Sequence, residues 1–308
     1  MFKNLTFFRF PPPEKIYDFF KQLDAGTLET QLKPVGPLEL SSRGWIIPPE
    51  HGDQSGRNMP FVSEHFVLLT LGIEERMLPA AVINAELTKR LADVETKDGR
   101  KPGGRARKRM KDDLIHELLP RAFVKPSRLQ GYLDLVRGLL VVDTASRKQA
   151  EGFVSELRHA LGSFPAYPLL APVAPRAVLT RWVSEGRTDI DGLALGDEAV
   201  LEDAADQGAV ARVSRQELHS DEIAHHLEAG KQVTRLGLQL FDRLSFTIDE
   251  DLSLRKFKLL DGALDQLEGV EHDDIVAELE ARFFLLTTEV ATLFDLLESS
   301  LSLSGVTP

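Results

Sequence analysis

Hydrophobic and polar positions follow two periods along the chain, one typical of strands and the other of helices. Phe2 to Phe10 is aromatic and extended, and three prolines end it before a helix predicted from Glu14. Phe66 to Ile73 is an almost unbroken apolar run, as in a strand that is buried on both faces. From Pro79 to about Thr96 the apolar residues recur at helical spacing, which predicts an amphipathic helix.

A hairpin followed by a helix is predicted twice. Tyr132 to Asp143 forms the first hairpin, with a turn at Arg137-Gly138, and the helix that follows is capped by Thr144 and ended by Gly162. Leu244 to Leu260 forms the second hairpin, again before a helix. The shared order suggests an internal structural repeat, although the sequence identity between the two units is too low to establish one.

The remaining elements are interspersed without a regular rhythm. A helix is predicted around Trp182, short strands from Leu193 to Leu218, and a helix from Ser220 to Ala229 with Ser220 as its cap. A long amphipathic helix is predicted from Asp273 to Ser302. Because strands and helices do not alternate as in a parallel βαβ protein, we predict an α+β fold with antiparallel sheets.

One basic segment contradicts the charge of the chain as a whole. Residues 97–111 read KDGRKPGGRARKRMK and carry a formal charge of +7, whereas the chain carries −11. Pro102-Gly103-Gly104 breaks the helical pattern, and a second helix is predicted from near Arg107. Local charge attracts a polyanion despite a repulsive total, so nucleic acid is the first candidate ligand, with a solvated basic loop as the alternative. The candidate DNA-binding residues in this segment are Lys101, Arg105, Arg107, Lys108, Arg109 and Lys111.

Composition narrows the class of protein and gives no sign of catalysis. The 308 residues include no cysteine, which excludes disulfides and thiolate chemistry. No uncharged apolar run approaches the roughly 20 residues of a membrane span, and the N-terminus lacks a signal-peptide pattern, so a soluble intracellular protein is expected. His219, His225 and His226 form the densest histidine cluster, but adjacent residues on a helix diverge by about 100° and are poor partners for one metal. We therefore expect no enzyme activity, no metal site and no cofactor.

Cations also occur in the predicted strands of the second half. Arg212, Ser214 and Gln216 alternate with small apolar residues, and Arg215 adds a charge beside Gln216. Arg235 shares a face with Gln239, while leucines occupy the opposite face. Such strands could present Arg and Gln to backbone phosphates while burying their other face, although a solvated sheet face gives the same pattern.

Stretches distributed over nearly the whole chain resemble one family, the RdgC family of bacterial recombination-associated proteins. They are FKNL at 2–5, GWIIPP at 44–49, EERMLPAAVINAEL at 74–87, HELLPRAF at 116–123, GLLVVDTAS at 138–146, LGSFPAYPL at 161–169 and LHSDEIAHHLEAGKQVTRLGL at 218–238. The resemblance implies a horseshoe-like, multi-lobed monomer that closes head to head into a ring-shaped homodimer. It also implies binding of double-stranded DNA through a positively lined hole with little sequence preference, restraint of the RecA recombinase, and a location on the nucleoid in the cytoplasm.

The resemblance also assigns individual residues. The Lys-Gln pair that lines the family's hole corresponds to Arg215-Gln216, and the Lys that often precedes it is replaced by Ser214. The Phe of the family's ring-closing contact corresponds to Phe123. The expected division has three parts: a β-rich central region (1–75, 127–170 and about 231–262), a helical tip with the basic loop (76–126), and an α/β base (171–230 and 263–308).

These observations favour a non-enzymatic, sequence-independent protein that binds double-stranded DNA and acts as a homodimer. Two alternatives stay open. One is a protein-interaction scaffold that acts directly on a recombination or replication protein, with the basic segment as a docking tail. The other is an enzyme whose site the sequence does not reveal.

Overall fold

Two antiparallel sheets and eight helices form the part of the chain that the structure, a computed structural model, describes: residues 2–48, 60–203, 208–267 and 275–303. The predicted α+β class is confirmed. The strands are β1 (Thr6–Arg9), β2 (Ser41–Ile46), β3 (Phe61–Ser63), β4 (Phe66–Met77), β5 (Phe123–Asp134), β6 (Leu139–Val142), β7 (Tyr167–Pro168), β8 (Leu193–Asp203), β9 (Val210–Ser214), β10 (Lys231–Leu240), β11 (Leu244–Asp249) and β12 (Leu254–Leu259). The helices are α1 (Ile16–Glu29), α2 (Ala80–Asp98), α3 (Gly104–Leu118), α4 (Arg147–Leu161), α5 (Pro175–Glu185), α6 (Asp221–Glu228), α7 (Asp261–Leu264) and α8 (Ile275–Leu301).

The first sheet has the strand order β2-β4-β5-β6-β1-β7, and β3 pairs with β4. Its centre is the long β4–β5 pair, whose register runs from Phe66 opposite Asp134 to Met77 opposite Phe123. Helices α1 and α4 cover one face, where Trp45 and Phe153 meet edge to face with ring centroids 5.1 Å apart. The unbroken apolar run of β4 is explained because the sheet is buried on both faces.

The second sheet has the order β12-β11-β10-β8-β9, so β9 is an edge strand. Apolar side chains of one face pack on α5, α6 and α8, while polar and charged side chains occupy the opposite face. We call this polar side the open face. β10, β11 and β12 lie in one sheet with β8 and β9; the sequence-based division into a central region, a helical tip and a base stays a prediction.

Helix α8 and the N-terminal segment join the two sheets. Phe283 and Phe294 of α8 pack on the first sheet, with the ring of Phe294 5.7 Å from that of Phe7. Arg243, at the turn between β10 and β11, pairs with the buried Glu289 of α8. Leu5 exchanges two backbone hydrogen bonds of 2.8 Å with Leu254, so the chain passes from the edge of the second sheet into β1 of the first.

Helices α2 and α3 form an antiparallel hairpin at the far end of β4 and β5. A small core of its own holds the hairpin together, made by Ile83 and Leu87 of α2 and Leu114 of α3. Gly99, in the left-handed region with φ 68°, ends α2 as expected for a glycine at this position. The break predicted at Pro102-Gly103-Gly104 is confirmed.

Several predicted helix ends differ from the structure. Helix α3 begins at Gly104 rather than near Arg107. Ser146, not Thr144, caps α4 by accepting a hydrogen bond from the backbone N–H of Gln149, while the Thr144 hydroxyl accepts one from Ser146 N–H. Ser220 occupies the cap position of α6 without making the cap bond, and its buried Oγ has no partner within the described chain. The predicted start of the last helix at Asp273 lies outside the described residues.

Candidate nucleic-acid interface

The basic segment forms a charged end to the helical hairpin. Its eight cations are all exposed, and five of them lie within the first turns of α3. We call residues 97–111 the basic tip. Within the described residues, only Lys101 has a carboxylate within salt-bridge distance, that of Glu95 at 4.0 Å. The fold therefore leaves this charge available to a ligand.

The position of these cations on α3 is unfavourable for the helix itself. The N-terminus of a helix carries a partial positive charge, which favours acidic residues there and disfavours basic ones by about 0.3–1 kcal/mol each. Helix α3 has no acidic residue in its first turn, and Gly103 at its cap position offers no side chain to the free backbone N–H groups. Basic residues and uncapped N–H groups together make this end of α3 attractive to anions.

Phe123 lies at the base of the hairpin, at the start of β5. Its side chain is 83% exposed, the largest such fraction among the exposed large hydrophobic residues of the described chain. It stands directly opposite Met77 of β4, which is 50% exposed. The sequence placed Phe123 in a helical region, whereas it follows a short 3-10 turn (Leu119–Arg121) as the first residue of a strand.

Arg215 and Gln216 lie in the loop after β9, not within a strand as the alternating pattern suggested. Arg215 is exposed and has a φ of 59°, a left-handed conformation that is uncommon outside glycine. No carboxylate of the described residues lies within 4.0 Å of its guanidinium. Gln216 is held in place because its N–H donates to the Asp197 carbonyl at 3.4 Å and its side-chain amide meets Glu222 at 3.5 Å.

Arg212 and Arg235 both lie on the open face, as the alternation predicted. Arg212 pairs in register with Val200 of β8, which in turn lies opposite Arg235 of β10. The two guanidinium groups differ in whether a carboxylate of the protein already pairs with them. Arg212 is exposed and, among the described residues, unpaired, whereas Arg235 forms a two-pronged ion pair with Asp249. This hydrogen bonding raises the pKa of Arg235 and holds its guanidinium against the sheet.

Strand β12 adds a row of cations that the sequence analysis missed. Ser245 lies opposite Lys258 and Thr247 opposite Arg255, so two steps along β11 match three along β12. The ladder therefore contains a bulge at Lys256, where φ is 53°. The extra residue turns Arg255, Lys256 and Lys258 toward the open face and leaves Phe257 buried. The sequence RKFK lacks strict alternation, and that irregularity was the available signal.

Carboxylates neutralise part of this row. Lys256 pairs with Glu198 of β8, and Arg255 shares Asp249 with Arg235 at 2.6 Å. In the described chain, Lys258 has no ion-pair partner. The open face thus carries cross-strand ion pairs, and further carboxylates, Glu202, Glu250 and Asp251, lie beside Arg212 and Arg235, so its positive charge is more fully offset than that of the basic tip.

The described residues hold no group of three or more His, Asp or Glu side chains placed to bind a metal ion. His225 donates its Nδ1–H to the Asp221 carbonyl one turn earlier, at 2.6 Å, while the Lys231 ammonium donates to Nδ1 of His226 at 3.2 Å. His51 and His272 lie outside the described residues. None of the described helices is both long enough and apolar enough to cross a membrane.

Comparison with known proteins places the chain in a family. The family model described as "Putative exonuclease, RdgC" matches residues 1–304. The chain is 54% identical over 303 residues to the recombination-associated protein RdgC of Xanthomonas axonopodis pv. citri (strain 306), and the match covers 98% of both chains. The chain belongs to the RdgC family. It is also 51% identical over 304 residues, with 98% of both chains covered, to the RdgC protein of Stenotrophomonas maltophilia (strain R551-3).

Family membership supports a role in recombination, because the relatives are named for that process. The family model carries an enzymatic description, while the relatives' names state none. For this RdgC family member, the surfaces described above supply the chemistry of phosphate binding: exposed guanidinium and ammonium groups on the basic tip, beside β9 and on the open face.

Proposed function

We propose that this RdgC family member binds double-stranded DNA without sequence preference, encircles it as a ring-shaped homodimer, and thereby restrains RecA on the bacterial nucleoid. The observation that carries the proposal is the basic tip. Seven of its eight cations have no carboxylate partner in the described chain, although the protein as a whole is strongly acidic. An intramolecular role would have brought acidic partners to these side chains; a phosphate backbone would supply them from outside.

The proposed contacts carry little sequence information. Arg and Lys side chains on phosphates fix the position of a duplex without reading its bases. Arg212, Arg215 and Gln216 would make such contacts beside the second sheet, and Arg105, Arg107, Lys108 and Arg109 at the basic tip. Lys111 is a further exposed contact at the basic tip. Lys101 and Arg235 would contribute less, because Glu95 and Asp249 already lie beside them.

Dimerisation through Phe123 is part of the same proposal. A side chain this apolar and this exposed, next to another exposed apolar residue, would gain by burial against a second copy. A ring with twofold symmetry needs two separate contacts, one at each end of the monomer. Phe123 would serve the contact at the hairpin end.

Topological retention tests the ring directly. The protein is bound to a covalently closed circular duplex at low salt, and the salt is then raised until binding to a linear duplex of the same sequence is lost. A closed ring stays on the circle and is released when a restriction enzyme linearises it. If the protein dissociates from the circular and the linear duplex at the same salt concentration, encirclement is refuted, because ordinary phosphate contacts weaken equally on both substrates.

Two control assays address the alternatives. Incubation of the same duplexes with magnesium or manganese, followed by end-label analysis, tests the activity that the family description names; shortening of the ends would overturn the non-enzymatic reading. Absence of salt-dependent binding to any duplex, combined with direct capture of RecA, would instead favour the scaffold.

A further inference from the structure

A groove of about 1030 Å³ opens beside Arg215. The loop between α5 and β8 contributes Arg187 and Thr188 to it, and the loop between β9 and α6 contributes Arg215 to His219. We propose that this groove holds one phosphate of a DNA backbone, and that Arg187 and His219 contact this phosphate together with Arg215. The inference rests on the proposed DNA binding and adds two residues that neither the sequence pattern nor the family resemblance assigned.

Arg187 is placed by the end of α5. Gly186 has a φ of 67°, its N–H donates to the Val183 carbonyl at 3.2 Å, and the N–H of Arg187 reaches back to the Trp182 carbonyl at 3.1 Å. These two bonds form a Schellman motif, which fixes the backbone at a helix end. Because Trp182 is fully buried, the start of the Arg187 side chain is anchored to the core.

The guanidinium of Arg187 is nevertheless free. The residue is exposed, and no carboxylate of the described chain lies within 4.0 Å of it. Other arginines of the same region are paired: Arg181 with Asp189 at 2.8 Å, and Arg176 with Glu250. Because the backbone is already fixed, binding of an external phosphate to this unpaired guanidinium orders only the side chain.

His219 joins the two loops across the groove. A Cβ atom added to Gly186 would lie 2.8 Å from Cγ of His219 and 2.9 Å from its Nδ1, so the ring packs directly on the glycine. The preceding residue, Leu218, is only 2% exposed and anchors the backbone of His219 to the core. The imidazole is therefore held at the wall of the groove, where a ring N–H can donate to a phosphate oxygen.

The charge of the groove favours a polymer over a free phosphate ion. Asp197 and Glu217 also line it, and these two carboxylates offset the two guanidinium groups. A lone anion would gain little from such a site. A phosphate that is already held nearby by other contacts of the same DNA strand binds at high effective concentration, so a weak site still contributes.

Substitution of Arg187 in the full-length protein tests the groove. With a short duplex titrated at rising salt, Arg187→Ala is expected to reduce the slope of log K against log salt by less than about 1.8, the value for complete loss of one phosphate contact (~0.9) in each copy of a dimer, because Arg215 still holds the shared phosphate. Arg187→Lys should keep most of the slope and lose part of the affinity, because the two-pronged contact is lost while the charge stays. His219→Ala should weaken binding as well.

Lys148→Ala is the matched control, since it removes an exposed charge from α4, which packs on the first sheet and does not line the groove. The double variant Arg187→Ala with Arg215→Ala should weaken binding by less than the product of the two single effects, because the two residues share one phosphate. Thermal unfolding midpoints should match that of the unsubstituted protein, since Arg187 has no ion pair to lose.

The results separate the two levels of the proposal. Salt-dependent binding that Arg215→Ala weakens and Arg187→Ala leaves unchanged would overturn the groove and spare the DNA-binding function. An unsubstituted protein that fails to bind duplex DNA at low salt would overturn both. Displacement of DNA by inorganic phosphate at constant ionic strength would show that the groove prefers a free ion, contrary to the expectation drawn from its carboxylates.

Discussion

Arg215 shows how a single residue can depart from the local rule of its chain. Strand β9 alternates exposed and half-buried residues up to Ser214, and the next residue would continue this pattern in a longer strand. Its left-handed backbone instead turns the guanidinium out of the sheet and into the groove beside His219. Such a conformation costs about 1–3 kcal/mol for a residue other than glycine, and residues that tolerate it cluster at functional sites.

Substitution of Arg215 is the sharpest test at this scale. Arg215→Ala should reduce the salt slope of duplex binding by up to about 1.8 in a dimer, since each copy loses about 0.9 of a released counterion. Gln216→Ala should weaken binding with little change of slope, because the amide carries no charge. Fluorescence anisotropy with two duplexes of unrelated sequence measures both effects.

The two duplexes should respond equally, because phosphate contacts carry no direct sequence information. Arg215→Lys serves as the control that keeps the charge. Unchanged affinity and slope in Arg215→Ala would mean that the loop after β9 is only a solvated turn.

At the residue scale the sequence predicted which residues lie on polar strand faces better than it predicted the side chains they contact. Alternation correctly put Arg212 and Arg235 on the polar faces of their strands. It could not show that Asp249 would hold Arg235, because that pair depends on the register of β10 against β11. Arg187 was missed for a similar reason: a lone arginine after a helix has no local signal, and its neighbours in space are 28 and 32 positions away.

Helix α3 is the element in which stability and charge conflict most clearly. Five cations occupy its positive end, and no side chain caps it. A sequence selected for the stability of this helix alone would place acidic residues there. The arrangement is explained if the first turns of α3 meet an anion, whose charge reverses the sign of the interaction.

Neutralising the start of α3 should therefore change binding and stability in opposite directions. Gln in place of Arg105, Arg107, Lys108 and Arg109 is expected to slow DNA association at low salt, with a smaller effect at physiological salt, because long-range steering is screened. The same variant should unfold at an equal or higher temperature, because each charge removed raises the free energy of unfolding by up to about 0.3–1 kcal/mol.

Stopped-flow association and thermal unfolding by circular dichroism give the two measurements. A lower unfolding temperature would mean that these cations make stabilising contacts within the protein. Complete loss of binding at every salt concentration would show that the basic tip is the main DNA site rather than an auxiliary one.

At the element scale, periodicity was sufficient for most helices and strands. The apolar spacing of α2, α4, α5 and α8 gave their positions within a few residues, because each buries one continuous face. The grouping of strands into sheets was less accessible. Residues 231–262 resemble the first hairpin unit in order, yet they pair with β8, and such long-range partners are not encoded in the local pattern.

On the scale of the whole molecule, the hairpin and the second sheet lie at different parts of a frame built around the first sheet. The long β4–β5 pair carries the hairpin and Phe123 at one end, while α8 and the N-terminal segment attach the second sheet. Charge and exposed apolar surface are therefore separated from the main cores. This separation allows these surface residues to be substituted without disturbing the fold.

Phe123→Ala tests the dimer contact. If two contacts close a ring, the variant should remain dimeric, because the second contact is intact, but it should escape more readily from circular DNA at high salt. Sedimentation velocity at micromolar concentration gives the mass, and the circle assay gives the retention. Tyr17→Ala is a suitable control, since Tyr17 is 67% exposed on α1, away from the hairpin.

A wholly monomeric Phe123→Ala would show that this residue carries the principal contact rather than one of two. An unsubstituted protein that sediments only as a monomer would exclude the ring itself.

The joint between the two sheets has a consequence for how the protein is made. Leu5 is bonded to Leu254, and the Phe257 N–H donates to the Lys3 carbonyl at 2.9 Å, so a segment made early in synthesis pairs with one that is made much later. At roughly 5–20 residues per second, this partner is synthesised on the order of tens of seconds later. During that interval Phe2, Leu5 and Phe7 lack their core partners in the second sheet and α8, so this apolar segment would stay exposed in a form that chaperones can bind.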